Sequence, residues 1–231
     1  MTALREALGC IRHLLSQSTE PYHGMVFSLA GGEALRWSIR RPDIPFLLGT
    51  WGAKTMRSCM ADIDAIKIGG TANPDIMPQI RTTIAEAATA VGRSSAELHL
   101  AARAVTVVDR DRRAARELAR REVALYLPVI AAFDPTLEIE PDRLQRIREA
   151  VAVYDYERAG RDISDALLRR VAFAGTPDDI AEQAASLFEA GVHRVEFGTP
   201  HGLTTAEGLQ LLGEKALPAL ASTYDLEATE A

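Results

Sequence analysis

Ala65-Ile66-Lys67-Ile68-Gly69, followed by Gly70-Thr71-Ala72-Asn73-Pro74, decides the fold class. A short run with isoleucine on both sides of a charged residue, closed by paired glycines, reads as a strand entering a turn. From Asp75 to Val91 the apolar spacing becomes helical, and Gly92 supplies the stop. The same order repeats on both sides. Upstream, Ile44 to Gly49 reads as a strand and Ala53 to Asp62 as a helix; downstream, Leu98 to Val108 is a strand and Arg112 to about Leu127 a helix. A helical insertion over about 128–170 follows. Gly175-Thr176-Pro177-Asp178-Asp179 then opens a helix, with Thr176 as N-cap, Pro177 at the first position and two aspartates at the positive end of its dipole. That helix ends at Gly191, His193 to Phe197 is a strand, and the capping box Thr204-Thr205-Ala206-Glu207 opens a last helix to about Leu217. Four strand–helix units predict an α/β fold with a parallel sheet, either doubly wound or a (β/α) barrel.

The rest of the chain adds to this frame. A helix over Thr2 to Leu15 precedes a hairpin or loop excursion at Pro21–Leu29, and the tail from Ser222 lies outside the single domain expected over 1–221. A closed barrel takes eight units and about 250 residues. Four units, with the first helix starting at Met1 and no strand before it, read as an N-terminally truncated barrel.

At 231 residues, 47% hydrophobic and 25% charged, the composition excludes a disordered or collagen-like chain. A net charge of -6 argues against nucleic acid as a partner. The apolar run from Val123 to Phe133 is far short of the ~20 residues a membrane helix needs, and the acid and base of Arg5-Glu6 stand where a signal peptide would be apolar. A cytoplasmic protein without membrane attachment is expected. Cys10 and Cys59 lack metal or disulfide spacing and are expected as inert thiols. The charge run from Asp109 to Glu122, six arginines against four acids, is expected as a solvated helix face.

Three glycine/threonine turns follow strand ends, where α/β folds place ligands. In Gly49-Thr50-Trp51-Gly52-Ala53-Lys54-Thr55 a helix starts inside the segment, and its free N–H groups with Thr50, Lys54 and Thr55 form either a phosphate seat or merely a turn. Ile68-Gly69-Gly70-Thr71 and Gly198-Thr199-Pro200-His201-Gly202 repeat the theme.

These strings, together with Ala90-Val91-Gly92-Arg93 and Gly175-Thr176-Pro177, resemble the luciferase-like monooxygenase superfamily, and within it the deazaflavin-dependent branch. The resemblance spans Leu4 to about Leu220. It implies the C-terminal half of a (β/α)8 TIM-type barrel, the cofactor coenzyme F-420 or alternatively FMN, and hydride transfer to or from a small organic substrate at the barrel mouth. Carried over, the cofactor phosphate seat falls on Trp51, Gly52, Ala53, Lys54 and Thr55, beside Thr50, and the turn Gly69, Gly70 and Thr71 lies towards the substrate. Ala53 stands where relatives commonly have proline. The strands that carry the acid/base residues in relatives have no counterpart here, so no catalytic residue is assigned. A non-catalytic half-barrel that serves as an interaction subunit, or a truncated relic, is the alternative. Open strand edges predict a homo-oligomer.

Strand alternation gives a reading independent of the resemblance. Ile66 and Ile68 pack outward on helices, which turns Lys67 inward; Val195 and Phe197 do the same for Glu196. Arg103 joins from the strand between. The layer is either a structural ion network or a substrate or cofactor contact. His193 and His201 lie about 25 Å apart at ~3.3 Å per residue, and His13, His23 and His99 are scattered, so no metal site is expected. His201 alone is placed for chemistry, as a ligand contact or a loop-ordering hydrogen bond.

Overall fold

The computed structural model describes residues 1–223; residues 224–231, most of the expected tail, lie outside them. The chain divides into two compact units, residues 1–66 with 82–98, and residues 67–81 with 99 onward.

In the first unit α1 (Thr2–Leu15) leads into an antiparallel hairpin of β1 (Tyr22–His23) and β2 (Ser28–Leu29), Tyr22 opposite Leu29. The Glu6 carboxylate holds the hairpin tip by accepting the backbone N–H groups of Met25, Val26 and Phe27 at 2.9, 2.7 and 3.0 Å. Those bonds, with the one from Phe27 first, lower its pKa. β3 (Leu47–Gly49) is three residues shorter than the expected Ile44–Gly49, because Pro45 has no N–H to give to a ladder. α2 (Ala53–Cys59) follows, and β4 (Ala65–Gly69) begins beside Phe46, whose carbonyl accepts from Asp64 and Ala65 N–H. Arg93 donates to the carbonyls of Met60 and Ile63 at 2.8 and 2.7 Å, fixing the loop between α2 and β4. Cys59 is buried, Cys10 is half-buried, and both are free thiols.

β4 continues into the second unit, and its turn enters α3 (Met77–Thr89) through a tighter helical turn at Pro74–Ile76 capped by Asn73. β5 (His99–Val108) precedes α4 (Arg112–Ala124). The insertion holds α5 (Leu127–Ile130), α6 (Pro141–Ala152), α7 (Tyr156–Arg161) and α8 (Asp165–Val171). Then come β6 (Ala172–Gly175), α9 (Pro177–Glu189), β7 (Arg194–Gly202), α10 (Thr205–Leu211), a π-helical segment at Leu212–Ala216 and α11 (Leu217–Thr223). β5 is the centre of this unit, bonded to β4, to β6 and to β7. It pairs in parallel with β6, Val105 opposite Ala172, and with β7, Ala101 opposite Arg194, the latter register shifting between Val105 and Val107.

The four expected strands are present, and β6 adds a fifth. All four of its residues are buried, so Ala172-Phe173-Ala174-Gly175 shows no alternation that could reveal it. β7 also runs on past Phe197, so Gly198-Thr199-Pro200 is strand rather than turn. Thr176 and Asp179 form the expected capping box on α9. Gly175, at φ +143°, leaves room for the returning Asp179 carboxylate, which a Cβ would strike.

The arginine run is only partly the solvated face that its spacing predicts. Arg113 is 87% exposed and pairs with Glu117 at 2.8 Å. Arg112, however, donates to Asp179 at 2.7 Å, and Arg116 and Arg120, about one-fifth exposed, both grip Asp165. Their partners lie 45 to 67 residues away, beyond the reach of any helical pattern.

Candidate functional site

In the first unit, the helix expected inside the segment Gly49–Thr55 starts at Ala53. Gly52 is the N-cap of α2, no side chain caps the helix start, and the first turn carries no acid. The Gly52 N–H donates to Thr50 Oγ1 at 3.0 Å, which turns the hydroxyl towards the helix start. A Cβ at Gly52 would stand 3.3 Å from Thr55 Oγ1, so the glycine brings Thr50 and Thr55 hydroxyls to one spot. Lys54 is exposed in the same turn. Two hydroxyls, one ammonium and no carboxylate thus lie at the positive end of α2.

The second unit carries the layer that alternation predicts. Ile66 and Ile68 are buried, while Val195 and Phe197 pack against Ala181, Ala184, Ala185 and Leu220 of α9 and α11. With those faces turned outward, Lys67 Nζ meets Glu196 Oε2 at 3.1 Å. The two side chains are 30% and 26% exposed, half-buried rather than sealed. Arg194, which the alternation also places on this face, binds the other oxygen of Glu196 at 2.7 Å. Sequence reading missed it, although its i, i+2 spacing to Glu196 was the available signal. Arg103 is the register partner of Glu196 on β5 and is exposed.

The Gly69–Thr71 turn is less open. Gly69 is exposed, but Gly70, at φ +83°, lies under Ile130 of α5, where a Cβ would come within 2.7 Å of the isoleucine Cδ1. Thr71 is fully buried and its Oγ1 accepts from the Asn73 N–H. Asn73 in turn donates to Asp134 and Thr136 at 2.9 and 2.7 Å, and Arg170 donates to the Thr136 carbonyl. The turn is thereby the dock of the insertion, which sequence spacing could not show because Asp134 lies 61 residues from Asn73.

His201 sits at the mouth end of β7 with φ +81°, an unusual value for a residue with a side chain. Its Nε2 donates to the Phe197 carbonyl at 3.2 Å, a bond within β7, and its Nδ1 is buried without a partner among the described residues. His99 is not scattered from the others as expected: its ring meets His193 edge-on, with centroids 5.4 Å apart at the start of β5 and β7. Parallel pairing of two strand starts brings together residues 94 positions apart. Among the described residues no three His, Cys, Asp or Glu side chains gather to hold a metal ion, and no helix is long and apolar enough to cross a membrane.

The sequence model of the luciferase-like monooxygenases matches residues 1–194. The chain belongs to that family. Two curated relatives of this luciferase-like chain are 5,10-methylenetetrahydromethanopterin reductases. That of Methanopyrus kandleri is 27% identical over 220 residues, covering 94% of this chain and 62% of the relative. That of Archaeoglobus fulgidus is 27% identical over 225 residues, covering 94% and 66%. The chain therefore spans a little under two thirds of the length of these relatives. The fold is shared with the coenzyme F420-dependent tetrahydromethanopterin reductase of M. kandleri, at a TM-score of 0.83 and 24% identity over 95% of this chain and 63% of that one. An F420-dependent secondary alcohol dehydrogenase in complex with an F420-acetone adduct matches at 0.67 and 19% identity, over 94% and 60%. The α/β class with parallel strands is the one that the strand order predicts, and the (β/α)8 type is the one that the resemblance implies.

Proposed function

We propose that this luciferase-like chain is part of an oxidoreductase that transfers hydride between a deazaflavin, coenzyme F-420, and a small organic substrate, with FMN as the alternative cofactor. The observation that carries the reading is the acid-free helix start at Gly52, an anion seat in a chain whose curated relatives are named as reductases. F-420 is preferred to FMN because the names of two structural relatives specify it. FMN stays in view because a diketocamphane monooxygenase solved in complex with FMN shares the fold at a TM-score of 0.57.

The residues present fit such a cofactor. Thr50, Trp51, Gly52, Ala53, Lys54 and Thr55 would hold its phosphate, the glycine allowing close approach and Lys54 adding charge. When bound, the deazaflavin or flavin supplies the hydride carrier. The chain's own contribution is binding and orientation. Lys67 and Glu196, with Gly69, Gly70, Thr71 and His201, form the substrate side of this reading, in which Glu196 keeps Lys67 in place. The partner is a small molecule rather than nucleic acid or a membrane, the location is the cytoplasm, and the assembly is a homo-oligomer formed through the half-exposed β3.

Fluorescence titration of the purified chain with F-420, and separately with FMN, tests the proposal. Saturable binding of one of them, weakened in Lys54→Gln, is the expected result. Binding of neither would overturn it.

A further inference from the structure

The inner face of the second unit holds more positive charge than it neutralises. Lys67 and Arg194 take one oxygen each of Glu196, at 3.1 and 2.7 Å, so both oxygens of this carboxylate already face a cation. Arg103, directly across from Glu196 on β5, is exposed and forms no ion pair or side-chain hydrogen bond among the described residues. Its Nε lies 3.5 Å from where a Cβ of Gly198 would stand. Gly198 is two residues beyond Glu196 on the same face, so the guanidinium lies along the layer, beside a residue with no side chain to cover it. Inner faces of parallel strands are ordinarily apolar. Here three cations stand beside one acid; Lys67 and Glu196 are half-buried, while Arg103 and Arg194 are open to solvent and to a ligand.

We infer that Arg103, with Lys67, forms an oxyanion site that takes a carboxylate or phosphate group of a small-molecule ligand. The planar fork of Arg103 matches either group in a two-bond geometry, while Lys67 acts as the point charge. The inference rests on the reading of this face as the substrate side, and it adds the chemical class: the ligand bears an anionic oxygen group at the end that reaches β5.

The test titrates the whole chain with inorganic phosphate, and separately with acetate, and follows the arginine Nε–Hε resonances by NMR. The Arg103 signal is identified by its loss in Arg103→Lys. A saturable shift of that signal is expected, with Arg113, already paired on the surface, as the non-saturating reference. Saturation by phosphate alone assigns a phosphate-bearing ligand, by acetate alone a carboxylate, and by both the shared chemistry. Lys67→Gln should weaken the affinity about tenfold, the effect of about 1.4 kcal/mol. A signal that stays still or drifts linearly with both anions overturns the inference, as does an affinity that Lys67→Gln leaves unchanged. Saturable anion binding at Arg103 in a chain that binds neither F-420 nor FMN would leave the inference standing and overturn the proposed function instead.

Discussion

Removing Lys67 and removing Glu196 should not cost the same, although the two are partners. Lys67→Met leaves Glu196 bound to Arg194 at 2.7 Å and keeps most of the apolar stem of the lysine. Exposed ion pairs contribute about 0.2–1 kcal/mol, and breaking a buried pair costs about 3–5 kcal/mol. A pair 30% and 26% exposed lies between these limits, and the retained partner moves Lys67→Met to the low side, at about 1 kcal/mol. Glu196→Leu strands Lys67, Arg194 and Arg103 together on one face, and is expected to cost about 2–3 kcal/mol. The double variant removes one of the stranded cations and should recover about 1 kcal/mol relative to the sum of the singles. Urea denaturation followed by circular dichroism gives all three values in one cycle, and raising the salt concentration should shrink the coupling. Equal losses for the two single variants, or a double variant additive within about 0.3 kcal/mol, would refute the argument that Glu196 is the hub of the layer.

Three further outcomes follow from particular contacts. Gly52→Asp should keep stability within about 0.5 kcal/mol, because aspartate is a good N-cap and the glycine has ordinary backbone angles, yet cofactor titration should show affinity at least tenfold lower as its carboxylate occupies the anion seat; unchanged affinity would reduce the glycine to a turn residue. His193 accepts the Leu100 N–H on Nδ1 at 3.0 Å, and burial first, then His99 and Arg81, lowers its pKa. The folded state therefore favours the neutral ring, so its contribution is complete above the unfolded pKa of about 6.5 and is lost as pH falls through the lowered folded value; His193→Asn should flatten the pH dependence of the urea midpoint on the acid side, and an unaltered slope would show the ring is not responsible. Gly175→Ala combines a left-handed φ of +143° with a clash against Asp179, and thermal denaturation should show a loss of about 1–3 kcal/mol; a neutral substitution would mean that the Asp179 carboxylate moves freely.

The sequence by itself determined the order of strands and helices, because each of those segments buries one face and carries the matching period: Ala65–Gly69 turns its isoleucines to the core and its lysine away. The same local logic placed Thr176 and Thr204 as caps, since capping involves only residues within one turn. It also turned Lys67 and Glu196 to one face, 129 residues apart, because parallel strands keep the parity of their side chains. Tertiary structure decided which remote groups meet where no period marks them. It set β6, buried on both faces and thus without a period, beside β5. It gave Arg112, Arg116 and Arg120 their acidic partners, placed His99 against His193, and closed the Gly69–Thr71 turn under Ile130 and the Asn73–Asp134 bond. A residue's period records which way it faces; only the packing of remote segments fixes what it meets there, and that meeting leaves Arg103 with no counter-ion among the described residues.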